Sequence, residues 1–152
     1  MDDLLLDDEM SKEHNYVPAS KGKRFANFII DQILIFVLAA VITIAIGIVS
    51  PDIVTEMADM SWLEERLFGV LSVLIYYPIT EGLLKGKSLA KYFTKTRAIN
   101  YDGTPPTFGT CFMRSLSRIV PFEPFSFLGE LNNGWHDKWT ETMVIDEKQS
   151  SY

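Results

Sequence analysis

The sequence predicts an all-α membrane protein with two transmembrane helices and a third crossing or a re-entrant or interfacial helical segment. It also leaves room for a short cytoplasmic β-pair. Three observations lead there. Residues 33–49 read ILIFVLAAVITIAIGIV, with no charge and Thr43 as the lone polar side chain. Residues 67–84 form a second apolar run, LFGVLSVLIYYPITEGLL. Between and around these runs the charges segregate by sign, which uniform composition hides: 47% hydrophobic, 22% charged, mean hydropathy +0.10.

Each element has a local cause. Residues 1–18 hold Asp2, Asp3, Asp7, Asp8, Glu9 and Glu13 around a short leucine cluster, a composition that buries no core and reads as an acidic, disordered cytoplasmic tail. Ser20 is placed to cap a first helix over about 21–50. Its apolar part, residues 25–49, rises roughly 37 Å, enough to cross a hydrocarbon core of about 30 Å. Ser50-Pro51 stops it. The second helix, about 63–85, follows Trp62, an interfacial anchor, and carries a backbone break at Pro78.

Orientation follows from the flanks. The 51–66 loop has Asp52, Glu56, Asp59, Glu64 and Glu65 against Arg66. Lys21, Lys23 and Arg24 precede the first helix; Lys85, Lys87, Lys91, Lys95 and Arg97 follow the second. Basic residues near helix ends stay in the cytoplasm, so both flanks, and with them the N-terminus, lie inside and the acidic loop outside. The stretch between Lys85 and Arg97 is also expected to attract anionic lipid headgroups.

The last third is mixed. Residues 96–100 and 140–145 have strand character, with a turn at Asp102-Gly103. Between them a third hydrophobic segment, about 108–131, contains Arg114, Arg118, Pro121, Glu123, Pro124 and Glu130, costly in a full crossing. A re-entrant or interfacial course is preferred because paired strands must share one side of the membrane. Residues 147–152 form a C-terminal tail.

Several function classes are excluded or disfavoured. A net charge of −6 and a pI near 4.9 argue against a nucleic-acid surface. One cysteine, Cys111, forms no disulfide framework and reads as a small buried hydrophobe. Gly86-Lys87-Ser88 is not a phosphate loop, since position 81 holds Glu81 and a membrane helix precedes it. His14 and His136 lack the company a metal site needs, and Trp135-His136-Asp137 reads as an interfacial anchor. With no nucleophile–base pair to assemble, no catalytic residue, cofactor or enzyme activity is expected.

The informative charges are intramembrane. Arg24 and Asp31 are seven residues apart, nearly two helical turns, with Asn27 between them on the same face. A carboxylate in that position costs about 2.5–3.5 kcal/mol unless paired, protonated or facing a cavity. One reading has Arg24 or another basic group neutralising Asp31; the other makes Asp31 a protonatable or cation-binding group on a path. Tyr77, Thr80 and Glu81 share a face of the second helix, and Glu81 is either solvated or part of a cluster with Arg24, Asn27 and Asp31.

The order of these features resembles the RDD family of small bacterial membrane proteins, named for an arginine and two aspartates. The opening Ala19-Ser20-Lys21-Gly22-Lys23-Arg24-Phe25-Ala26-Asn27-Phe28-Ile29-Ile30-Asp31 supplies Arg24 and Asp31, and Trp135-His136-Asp137-Lys138-Trp139 supplies Asp137. Tyr77, Glu81 and Gly86-Lys87-Ser88-Leu89-Ala90-Lys91 resemble the segment after the second helix, with Ala90 where the family commonly has Gly. Asp102-Gly103 and Arg114 also fit. The resemblance covers about residues 16–146, as one RDD-like membrane domain over 19–146.

It implies a bacterial inner-membrane location and a suggested transport role. Transport of ions or small solutes requires a homo-oligomer, because two or three crossings cannot enclose a polar path. In that reading Arg24 tunes Asp31, and Asp137 pairs with Arg114 or Arg118. The alternative is a non-transporting accessory or scaffold protein whose Arg/Asp set is structural and whose acidic tail or outer loop engages an unidentified protein partner.

Overall fold

The computed structural model describes residues 16–120 and 135–150. Ser20 opens helix α1 (Lys21–Val49) by accepting the Lys23 N–H at 3.3 Å, so one otherwise orphaned donor is satisfied. The helix is long and apolar enough to cross a membrane, with a mean hydropathy of 2.8 over its best 18-residue window, and none of that window is buried. Phe36 is 75% and Ile48 80% exposed, as side chains facing lipid are and those of a soluble core helix are not. Buried positions gather at the other end: Arg24, Asn27 and Asp31.

The segment expected as a plain acidic loop folds into a two-turn helix, α2 (Pro51–Ala58), because Pro51 is pre-organised for the first helical position. Helix α3 (Trp62–Leu83) starts with a capping box. Ser61 Oγ accepts from the Glu64 N–H, and the Glu64 carboxylate accepts from the Ser61 N–H at 2.7 Å. It continues through Pro78, and its buried residues, Tyr76, Tyr77, Pro78 and Glu81, cluster at the same end as those of α1.

A turn at Gly86 (φ 91°) leads to helix α4 (Leu89–Thr94) and strand β1 (Thr96–Asn100). Gly86 is required twice over: its φ is left-handed, and a Cβ there would sit on the carbonyl oxygen of Ala98, whose N–H donates to Gly86 O at 2.9 Å. Helix α5 (Phe108–Arg118) packs against α3 and helix α6 (Trp135–Trp139), and strand β2 (Thr142–Asp146) closes the fold. β1 and β2 pair antiparallel from Thr96 opposite Asp146 to Asn100 opposite Thr142.

Two boundaries shift. Val17 O accepts from Asp146 N–H, Ala19 N–H donates to Val144 O, and Pro18 bridges Ile145, so residues 17 and 18 lie along β2 and not in a solvated tail. At the other end Glu147 donates its N–H to Lys95 O and pairs with Lys87 and Arg97 at 2.8 Å, so the domain includes the first residues after 146. The apolar core beneath this sheet is small, Ala19, Ala98 and Val144, and most buried side chains around it are polar or charged.

Of the third hydrophobic segment, α5 is described, while Pro121, Glu123, Pro124 and Glu130 lie outside the described residues. At 11 residues α5 spans about 16 Å, half a bilayer core. It is built inside out, burying Cys111, Arg114, Ser115 and Ser117 and exposing Phe108, Phe112, Met113 and Leu116.

Candidate functional site

The buried charges converge where α1, α3, α4, α5 and α6 meet the sheet. Arg24 leaves the first turn of α1 and spends its guanidinium on three acceptors. Nη1 donates to Asp137 Oδ2 at 2.5 Å, Nη2 to Val144 O at 3.2 Å and Nε to Ala19 O at 3.3 Å. Asp137 also accepts from Arg114 Nη1 at 2.7 Å, and His136 Nε2 lies 3.4 Å away. Arg114 continues the chain. Its Nε donates to Glu81 Oε2 at 3.1 Å, and its Nη1 also reaches Thr142 Oγ1. Glu81 Oε1 then accepts from Lys91 Nζ at 2.9 Å and lies 3.4 Å from Arg118 Nη2. Cations and carboxylates thus alternate along Arg24, Asp137, Arg114, Glu81 and Lys91, each at most 5% exposed.

Asp31 stands apart from that chain. The expected Arg24–Asp31 ion pair does not form; Arg24 is turned toward the sheet and Asp137. Asp31 is satisfied by hydrogen bonds: Tyr76 Oη donates to Oδ1 at 2.7 Å, Ser88 Oγ to Oδ2 at 2.6 Å, and the Ala90 N–H to Oδ1 at 3.2 Å. Ser88 is the N-cap residue of α4 yet makes no side-chain cap of its own. Asp31 caps that helix from α1 instead, tying α1, α3 and α4 at one carboxylate. Ala90 is fully buried, and the position contributes its helical N–H to Asp31.

Asn27 sits one turn from each. Its Oδ1 accepts from Thr94 Oγ1 at 2.5 Å and its Nδ2 donates to Thr96 Oγ1 at 3.0 Å, fastening α1 to the start of β1. Tyr77 is buried beneath the Arg118 guanidinium, 4.2 Å from its ring centre. Of the residues singled out from the sequence, Arg24, Asp137, Arg114, Glu81 and Arg118 join one network, and Asp31 and Asn27 make separate ties beside it.

Sequence reasoning missed Lys91, Ser88, Tyr76 and Thr142. Lys91, placed among the lipid-facing cations, is 2% exposed. Its signal was the spacing to Glu81 across the Gly86 turn. His136 and Asp137 of the Trp135-His136-Asp137 run are likewise buried.

Electrostatics matches this geometry. Burial alone would raise the Asp137 carboxyl, but the His136 ring and the Arg114 and Arg24 guanidiniums outweigh it and hold the group far below the usual carboxylate range. Burial pushes the Lys91 ammonium below the usual lysine range against the pull of Glu81. At the rim, the hydrogen bond from Lys23 lowers the Asp146 carboxyl.

A small cavity opens beside the network, about 30 Å³, lined by Arg24, Asn27, Phe28, Asp31, Lys91, Arg118, His136 and Val144. A larger groove of about 600 Å³ runs along α3 from Trp62, Glu65 and Arg66 past Gly69 and Val73 to Gln32 and Arg118. Arg66 stacks 5.6 Å from the Trp62 ring centre at its far end.

Compared with known protein families, residues 18–141 match the model of the RDD family. No curated protein and no solved structure matches the chain.

Proposed function

We propose, for a chain that belongs to the RDD family, the role of a membrane-embedded accessory or scaffold protein whose Arg/Asp set is a structural clamp. The observation that carries this reading is saturation at one end. Asp31, Glu81 and Asp137 each accept at least three hydrogen bonds or ion-pair contacts, all beside the sheet. Beyond Gln32 the first helix has Thr43 as its lone polar side chain before Ser50. A carboxylate already held by three donors is poorly suited to load and release a cation.

In this reading α1 and α3 are the two spans of the bacterial inner membrane, with the N-terminus and the clamp at the cytoplasmic face. The β-pair supports that arrangement, since joined strands place the chain before α5 and the chain after α6 on one side. The inside-out face of α5 supports an interfacial course over a third crossing. Lys87 and Arg97 are drawn into pairs with Glu147, leaving Lys85 and Lys95 as the better headgroup contacts. The reading contains no catalytic step.

The groove along α3 favours a second reading, transport of an ion or small solute through a homo-oligomer that closes it. Proteoliposome flux separates the two. The clamp predicts no proton- or sodium-coupled flux above empty liposomes for wild type, and a lowered melting temperature for Asp31→Asn. Robust flux that vanishes in a folded Asp31→Asn protein overturns the clamp and supports transport.

A further inference from the structure

Helix α4 carries its polarity the wrong way round for water. A surface helix turns its apolar stripe inward and its charges outward. Here Lys91 is 2% exposed and held by Glu81 at 2.9 Å and Gly86 O at 3.3 Å. Leu89, Tyr92 and Phe93, at helical spacing on the opposite side, are exposed, Phe93 by 74%. Two ties to α1 set the depth of that face. The Ala90 N–H donates to Asp31, and Thr94 Oγ1 donates to Asn27. Asp31 lies six residues past Phe25, the start of the apolar stretch, and Asn27 two. At 1.5 Å per residue, α4 therefore slopes from about 9 Å to about 3 Å inside that edge.

An interfacial helix sinks its apolar face about 5–10 Å into the headgroup and acyl boundary. Over the same heights α1 exposes Phe25 and Ile29, so the α4 face continues the apolar surface of the first span. Charge is complementary to lipid as well. Lys85 and Lys95, both exposed and both in left-handed turns, stand before and after the helix, where an anionic leaflet attracts them. Given α1 as a span whose basic end faces the cytoplasm, the reading proposed above, we infer that this face binds anionic phospholipid of the cytoplasmic leaflet. Leu89, Tyr92 and Phe93 meet the acyl chains, and Lys85 and Lys95 the phosphates. Asp31 and Asn27 are positioning residues that hold the helix at that depth. An acidic protein segment in water would find the same lysines, but it gives no reason to tie the helix this far inside the apolar stretch.

The test is quenching of a fluorophore attached through Phe93→Cys in the full chain, held in phosphatidylcholine nanodiscs. Phe36→Cys on the first span and Lys148→Cys beside the sheet are the references. Quenchers are iodide, from water, and doxyl-chain phosphatidylglycerol or phosphatidylcholine at equal fraction, from the bilayer. The expected result is a Phe93 probe shielded from iodide and quenched by doxyl chains, as at Phe36 and opposite to Lys148. Phosphatidylglycerol quenches it more strongly than phosphatidylcholine, by up to about fivefold in local enrichment per lysine. Lys85→Gln with Lys95→Gln removes that preference. A Phe93 probe as open to iodide as that at Lys148, with Phe36 still shielded, overturns the inference and leaves the span standing. A Phe36 probe open to iodide overturns the span and the inference with it. Equal quenching by the two lipids, or a preference unchanged in the folded double variant, removes the anionic lipid as partner. Should Phe93→Cys not fold, Tyr92→Cys reads the same face.

Discussion

At Asp31 a carboxylate collects donors from α3 and from the approach to α4, and at Asp137 another collects two guanidiniums. These two aspartates fail in different ways. Asp31→Asn removes a charge-assisted acceptor and leaves three donors poorly matched, which costs about 1–3 kcal/mol in reversible unfolding. Asp137→Asn strips the partner from two buried arginines and costs about 3–5 kcal/mol. A double-mutant cycle between Arg24 and Asp137 is expected to give strong coupling, and one between Arg24 and Asp31 little. A cycle with the reverse ranking contradicts the partner assignment. That Arg24 and Asp31 are unusual was legible from charges set against apolar neighbours, whereas Asp137 stood out only through the resemblance to the RDD family. Who pairs with whom was not, because Asp137 lies 113 residues from Arg24 and only folding brings them together.

Among the elements, the long apolar helix, its Ser20 cap and both strands were legible, since periodicity and capping are local. The short α2 and the inside-out α5 were less so. α5 carries its apolar residues outward, so a reader expecting apolar residues to mark the core assigns the faces in reverse until Arg114 is seen to be buried. Position 86 offers an element-scale prediction. Gly86→Ala puts a Cβ onto the Ala98 carbonyl in a left-handed backbone and is expected to abolish folded yield in detergent, read by size-exclusion chromatography. Gly69→Ala, with open space around its Cβ, is expected to leave yield unchanged.

For the molecule as a whole, the acidic limb of stability is set by carboxyls held below their ordinary values. Asp137 and Asp146 both start from 3.8 and are lowered in the fold. Their contribution is therefore fully present well above that unfolded value and is lost as pH falls below it toward the folded value. Chemical unfolding measured between pH 6 and roughly 3 is expected to show a decline steepest near the bottom of that range, shallower in Asp146→Asn. Topology is testable by labelling. Burial pushes the Cys111 thiol up to about 11, so it gives little background. A cysteine at Thr55 should react with an impermeant reagent from outside intact cells, and one at Lys95 only after lysis.

The clamp has a cost in time. Arg24 enters the bilayer interface early in synthesis, but its partner Asp137 is 113 residues downstream. At about 5–20 residues per second the ribosome takes roughly 6–23 s to supply it. Through that interval the Arg24 guanidinium stands without its carboxylate at the entrance of the first helix, whereas Asp31 gains its donors from Tyr76, Ser88 and Ala90 at about half that distance along the chain, so the arginine is what proteases and chaperones surveying nascent membrane chains can see. A chain terminated before Asp137 never leaves that state. It is expected to insert and then be degraded rapidly in a pulse-chase experiment, whereas a chain completed through β2 is long-lived.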